Sequence, residues 1–374
     1  MNKLLDATAT PLSSIFGSGF LVIVPILASA VGKWSVVAML AVCALAYAVG
    51  SIIRFNIRHA EPVLAANPGE ALLSFERASD LALVLAYIIS VCLYLRILSA
   101  FVLDGLGADT PLNESLVTSF VIVLITVIGT TRGLSVLNFL EEWALYITLL
   151  IIVIILGGFA YYDWTTWQSP AGIILPSAAS NSVWETITIV SGTLIVVQGF
   201  ETPRYLGETF DAATRIRASR WSQLISTAVY VAFVAAALPV VHTLQGHYDD
   251  SSLIALIGVS AAVLTVPLII AAILSQFAAA VADMLASTGN MQEVTHGHLK
   301  AKWGCILVGG GALMLTWSAT TYEILALASR AFAFYYLLHC VVALCISKST
   351  FQRLGMGPVA AALAFIAIFA VPAG

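Results

Sequence analysis

Charge is what this sequence has least of. Its 374 residues carry 16 Lys and Arg and 20 Asp and Glu, 10% in all, against roughly 25% in soluble globular chains. That scarcity, with 60% hydrophobic residues and a mean hydropathy of +0.99, excludes a water-soluble globule, which has too little interior for so many apolar side chains. A bilayer supplies the missing apolar solvent, at about 20 apolar residues per helical span. Catalytic signatures are also missing: H-E-x-x-H, G-x-S-x-G and the phosphate loop G-x-x-x-x-G-K-[ST] do not occur. The chain thus reads as no enzyme, with no site for ATP or nucleic acid and no cofactor. Metal-type cysteine spacing is absent too. Cys43, Cys92, Cys305, Cys340 and Cys345 sit in apolar runs and read as small hydrophobes. His296 and His298 form an isolated H-x-H pair with no further ligand.

What is present is a series of apolar windows. They predict an all-α polytopic membrane protein with about eleven helices: 12–31, 35–57, 80–104, 114–132, 138–160, 183–204, 219–242, 261–289, 303–318, 321–346 and 357–372. The first is expected to be a retained span rather than a signal peptide, because GSG and Pro25 interrupt it. Residues 251–260 are too short to cross and read as a re-entrant or interfacial helix. The charged stretch after the sixth span reads as a short cytoplasmic helix.

Basic residues set the expected direction. With a cytoplasmic N-terminus the inner side collects Lys3, Arg54, Arg58, Arg77, Arg204, Arg215, Lys300 and others, and the outer side only Lys33. Cytoplasmic loops retain Lys and Arg. An odd span count then places the C-terminus outside, in what is expected to be the cell (inner) membrane. The eight tryptophans fall near the expected interfaces, as aromatic belts require.

Two segments contain what a spanning helix avoids. The first holds Ser13-Ser14-Ile15-Phe16-Gly17-Ser18-Gly19, and glycine costs a helix interior about 1 kcal/mol against alanine. The sixth holds Gln198-Gly199-Phe200-Glu201-Thr202-Pro203, and proline there costs about 3 kcal/mol. Peptide groups freed inside a membrane are tolerated where they line a cavity or are buried in protein. The two breaks lie five spans apart, so similar halves must be inverted, and paired interruptions mark a transporter binding site. Half-helix N-termini favour carboxylates and freed carbonyls favour cations or ammonium groups; amino acids suit both. Close packing by small residues is the bland reading of GSG.

The Gly17-Ser18-Gly19 run, Gly199-Phe200-Glu201 followed by Tyr205-Leu206-Gly207-Glu208, and Ser275-Gln276-Phe277 running to Asp283 together resemble the amino acid–polyamine–organocation (APC) superfamily of secondary transporters. The resemblance implies two inverted five-helix repeats working by alternating access. On this sequence that places the first repeat at 1–160, an outer loop at 161–182, the second repeat at 183–346 and an extra helix at 347–374. It also implies a solute lying against the unwound parts of the first and sixth helices, completed by the third and eighth. Many members have twelve spans, and proton-coupled ones often carry a fifth-helix lysine that this sequence lacks.

The expected solute-binding residues are therefore Ser14, Gly17, Ser18 and Gly19 at one break, Gln198, Gly199, Phe200 and Glu201 at the other, and Tyr94 and Arg96 on the third helix. Ionisable residues inside a membrane cost at least about 2.5 kcal/mol and mark functional candidates. Arg96 reads either as a receptor for a carboxylate or as a counter-ion of Glu201 or Asp283. Glu201 reads as a cap on the second half-helix or as a solute contact. Ser275, Ala279 and Asp283 share one face at i, i+4 and i+8 and are the expected ion-coupling set. In sodium-driven members the ion lies between first-helix carbonyls and eighth-helix hydroxyls. Na+ coupling, H+ coupling through Asp283 or Glu201, and uncoupled exchange stay open, as does Asp283 as a wetted helix-end charge. Glu323 and Arg330 share a face and read as a structural pair or gate. The expected function is secondary transport of a small organic solute, an amino acid or related amine. The alternatives are an ion channel or an inorganic-ion transporter on the same fold.

Overall fold

The structure is a computed structural model that describes residues 3–17, 19–66, 69–131, 135–170, 172–207, 209–249, 251–295 and 298–372. Among these residues every regular element is helical. The first expected span is two helices, α1 (Lys3–Gly17) and α2 (Phe20–Val31), and a tight turn at Gly32 leads into α3 (Ser35–Phe55). A π-helical turn, Asn56–Ala60, continues α3 into the short α4 (Glu61–Ala66). Then follow α5 (Glu70–Gly105), α6 (Pro111–Thr131) and α7 (Ser135–Gln168).

The second half opens with α8 (Val183–Ser191), closed at its start by a Ser182–Glu185 capping box. Two 3-10 pieces, Leu194–Val197 and Thr202–Leu206, carry the chain to α9 (Ala212–Ala237). Next come α10 (Ser252–Ala261), α11 (Thr265–Val294), α12 (Ala301–Thr316), α13 (Thr321–Ile346) and α14 (Thr350–Phe369).

Among the described residues, eight helical stretches are long and apolar enough to cross a membrane, or nine if the pair Val183–Ser191 and Leu194–Leu206, bent by 42°, is one span. Several helices outrun the apolar windows. α5 starts ten residues before the expected 80, since neither Gly nor Pro interrupts the chain between Glu70 and Gly105. α7 continues to Gln168, just ahead of the Ser169-Pro170 step that disfavours helix. The charged stretch after the second break forms no separate helix. Its basic residues are the first turns of α9, where Asp211 caps the start by accepting from the Thr214 amide at 3.0 Å and Arg215 pairs with both Glu61 carboxylate oxygens at 2.8 and 2.7 Å.

The centre is α5, packed against α11 and α13. Between Ala82 and Phe101 almost every α5 side chain is buried, so this helix is apolar all round, as a helix surrounded by others must be. The rim is different. α6 turns Leu116, Phe120, Val123 and Val127 outward, and all eight tryptophans are exposed, which suits a surface that meets lipid and its interfaces.

Candidate functional site

Both expected interruptions are present, and they touch. α1 stops at Gly17 and α2 restarts at Phe20 after Gly19, whose φ of 147° only glycine adopts readily. In the second segment the α-helix ends at Ser191, about two turns before the expected break. Ser329 of α13 takes over there: its hydroxyl donates to the Gly192 carbonyl at 2.6 Å and accepts from the Ile195 amide at 3.1 Å. The chain is then extended at Gln198 and turns at Gly199, φ 118°. A Cβ on Gly199 would stand 2.7 Å from Ser14 Cβ and 2.8 Å from the Ile15 nitrogen; one on Gly19 would stand 3.1 Å from Val196 Cγ2. Each break thus leans on the other through a glycine.

The freed peptide groups are taken up by side chains. The Tyr230 hydroxyl of α9 donates toward the Ile15 carbonyl at 2.9 Å and the Val196 carbonyl at 2.8 Å, one from each break. Glu201, fully buried, accepts on Oε2 from the Gly199 amide at 2.9 Å and from the Tyr336 hydroxyl at 2.8 Å. Tyr336 stacks on Phe200 with ring centroids 5.1 Å apart. Gln198 Nε2 donates to the Tyr94 hydroxyl at 2.9 Å, which ties the second break to α5. One turn below, Ser90 donates to the Asp283 carboxylate of α11.

Not every polar atom in this cluster is matched. Ser14 Oγ, Gln198 Oε1 and Glu201 Oε1 are buried without a hydrogen-bond partner among the described residues, and so, further along α5, is Tyr87 Oη. Each such atom costs about 1–3 kcal/mol, and a ligand with several donors would satisfy them at once. Two buried carboxylates and the rings of Phe200, Phe332, Tyr87 and Tyr336 favour a positive ligand, through charge and through ring faces.

The structure brings together Ser14, Gly19, Gln198, Gly199, Phe200, Glu201 and Tyr94. Ser18 lies outside the described residues, as does His296. Gly17 faces Ala279 of α11 closely enough that a Cβ on Gly17 would collide with that side chain. The ion-coupling trio divides. Ser275 and Ala279 meet α1, whereas Asp283, about 12 Å further along the helix, bonds to α5. Beside Ser275 is a space of about 10 Å³ lined by Ser13, Gly17 and Thr148; that is the size of one water or a small ion. The Thr148 hydroxyl there has no hydrogen-bond partner among the described residues, and nothing in the sequence pattern singles it out.

Two expected pairings are corrected. Arg96 meets neither Glu201 nor Asp283: it pairs with Glu114 at 3.1 Å and donates to the Thr316 carbonyl and the Thr321 hydroxyl at 2.9 and 3.2 Å. A buried guanidinium needs several acceptors at once, and the corner of α6, α12 and α13 provides them. Arg330 does not pair with Glu323 either. It donates to the Ile368 carbonyl at 2.7 Å, while Glu323 closes a capping box with Thr320, so the shared helical face does not bring the two charges into contact.

Toward the start of α5 lies a second set of contacts. Arg204 pairs with Glu76 and meets His339 Nδ1 at 2.7 Å, and the Tyr205 and Tyr335 hydroxyls bond at 2.9 Å. Above them is a cavity of about 300 Å³ lined by Leu83, Tyr87, Tyr205, Ala286, Gly289 and Asn290.

Comparison with known proteins agrees with this geometry. An uncharacterized protein of Aquifex aeolicus (strain VF5) is 36% identical over 357 residues, 94% of this chain and 86% of the relative. Crystal structures of substituted variants of the Eremococcus coleocola manganese transporter share the fold. One has a TM-score of 0.57 at 11% identity and another 0.56 at 12%, each alignment covering 98% of this chain and 85% of the other. The family description "APC superfamily transporter" matches residues 1–371. A chain built as a helical membrane protein around two interrupted helices that face each other therefore belongs to the APC superfamily of transporters.

Proposed function

We propose that the protein is a secondary active transporter that carries a small solute bearing an ammonium group, an amino acid or related amine, by alternating access. The observation that carries this reading is the cluster of unmatched acceptors, Ser14 Oγ, Gln198 Oε1 and Glu201 Oε1, at the meeting point of two broken helices. An ammonium group has three donors and no acceptor, and aromatic faces beside it add attraction. In this reading the chain crosses the cell membrane eleven times, N-terminus inside, as two inverted five-helix repeats plus α14. The bias of Lys and Arg supports that orientation.

Na+ is the coupling ion of this proposal. Hard cations take oxygen ligands, and the small space between Gly17, Thr148 and Ser275 offers hydroxyls and α1 backbone. A second reading is carriage of an inorganic divalent cation, favoured by the two buried carboxylates and by the manganese transporter fold of the structural neighbours. A thermal-shift screen of the purified protein against amino acids, amines, carboxylates and Mn2+, with and without Na+, separates them. Stabilisation by an amine or amino acid that deepens with Na+ supports the proposal. A response to Mn2+ alone supports the second reading, and a response to carboxylates alone overturns both.

A further inference from the structure

The cavity of about 300 Å³ is not part of the meeting point of the breaks, and its walls follow from two helical stripes. On α5, Asp80, Leu83, Tyr87 and Ser90 follow one another at steps of three or four. On α11, Asp283, Ala286 and Asn290 do the same. Residues so spaced share one face of a helix. The helices run antiparallel here, with Ser90 bonded to the Asp283 carboxylate at one end and Asn290 Nδ2 donating to the Asp80 carbonyl at 3.0 Å at the other. The seven residues from Asp283 to Asn290 rise about 10 Å. Between these two cross-links the helices part, and Tyr205 walls the opening.

Three features mark the chamber as a binding site rather than a packing fault. The Tyr87 side chain lines it while only 1% exposed, and its hydroxyl has no hydrogen-bond partner among the described residues. Ala286 and Gly289, which also line it, are accessible, and a Cβ on Gly289 would meet nothing within 4 Å. Among the described residues the charges around it are Asp283 at one end, Asp80 at the other, and the Glu76–Arg204 pair beside Tyr205.

We propose that this chamber is a second subsite for a small cation, an ammonium-bearing solute held by the Tyr87 hydroxyl on its way between the broken helices and the α4–α5 end of the molecule. The proposal rests on the transport reading for the solute's identity, but its test does not. In a chain carrying Cys345→Ser and Ala286→Cys, the remaining native cysteines are buried, so the new thiol reports on the chamber. Its reaction rates with 2-aminoethyl methanethiosulfonate (cationic) and 2-sulfonatoethyl methanethiosulfonate (anionic) are compared with those of free cysteine. The cationic reagent is expected to gain at least tenfold over the anionic one relative to that reference. Adding Gly289→Leu, whose Cβ would meet nothing within 4 Å, puts bulk into the space and is expected to slow both reagents at least tenfold. A ratio equal to that of free cysteine, a preference for the anion, or rates that Gly289→Leu leaves unchanged would each overturn the proposal. Absence of transport in the parent chain, with the cation preference intact, would instead count against the transport reading alone.

Discussion

The Tyr230 hydroxyl donates to the Ile15 carbonyl at 2.9 Å, and it lies 2.8 Å from the Val196 carbonyl of the other break. A phenol has one proton, so two helices that lost their regular bonding share it. Its ring stacks on Phe16 with centroids 5.9 Å apart, and that contact survives removal of the hydroxyl. Tyr230→Phe is therefore expected to preserve the fold while loosening both breaks. A buried hydrogen bond removed in this way is worth about 0.5–1.5 kcal/mol. Hydrogen exchange should rise together in residues 13–20 and 194–202; a rise in neither, or in one alone, would show that the hydroxyl does not join them.

Gly199 is the tightest point of the second break. Its φ of 118° costs a side-chain-bearing residue about 1–3 kcal/mol, and a Cβ would press into Ser14 and Ile15. Gly199→Ala should cut uptake at least tenfold and lower the melting temperature. Gly207→Ala, whose Cβ would meet nothing nearer than 3.6 Å, should do neither, and equal losses in the two variants would remove Gly199 from the site.

Glu201 tests the charge of the site. Gln is the same size, and its oxygen can still accept from the Gly199 amide and the Tyr336 hydroxyl. Glu201→Gln should leave the melting temperature within a few degrees and raise the solute KM at least tenfold. An unchanged KM would mean that the carboxylate only caps the break.

Arg96 is expected to be structural. Glu114→Gln leaves a buried guanidinium without its counter-ion, a loss of up to about 3–5 kcal/mol when a buried pair is broken. Stability should fall and the KM of the folded fraction should stay the same. A raised KM at unchanged stability would return Arg96 to the solute.

For coupling, Thr148→Val and Ser275→Ala should each weaken Na+ stimulation of uptake at least fivefold, with Asp283→Asn leaving it intact. Loss of Na+ dependence in Asp283→Asn alone would move the ion to the α5–α11 contact.

Much of this was legible in the sequence because glycine and proline act locally. Gly17, Gly19, Gly199 and Pro203 mark both breaks through their own backbone limits, and apolar runs mark the spans. The partners of those breaks were not legible. Tyr230, Tyr336, Ser329 and Thr148 come from helices far along the chain, and nothing in their local pattern sets them apart from ordinary buried residues. The wrong partners for Arg96 and Arg330 have the same cause. Helical spacing says which residues share a face, but the counter-ion of a buried charge depends on which corner of the bundle that face meets. Helix ends were misplaced where hydropathy faded and no Gly or Pro intervened, as at the start of α5.

The most direct test is counterflow. Purified protein in liposomes preloaded with an unlabelled amino acid or amine that stabilises it should concentrate the same labelled solute transiently, with saturation, and Gly199→Ala should abolish this. Flux that rises linearly with concentration and shows no counterflow, alike in parent and variant, would contradict a solute site shared by the two broken helices.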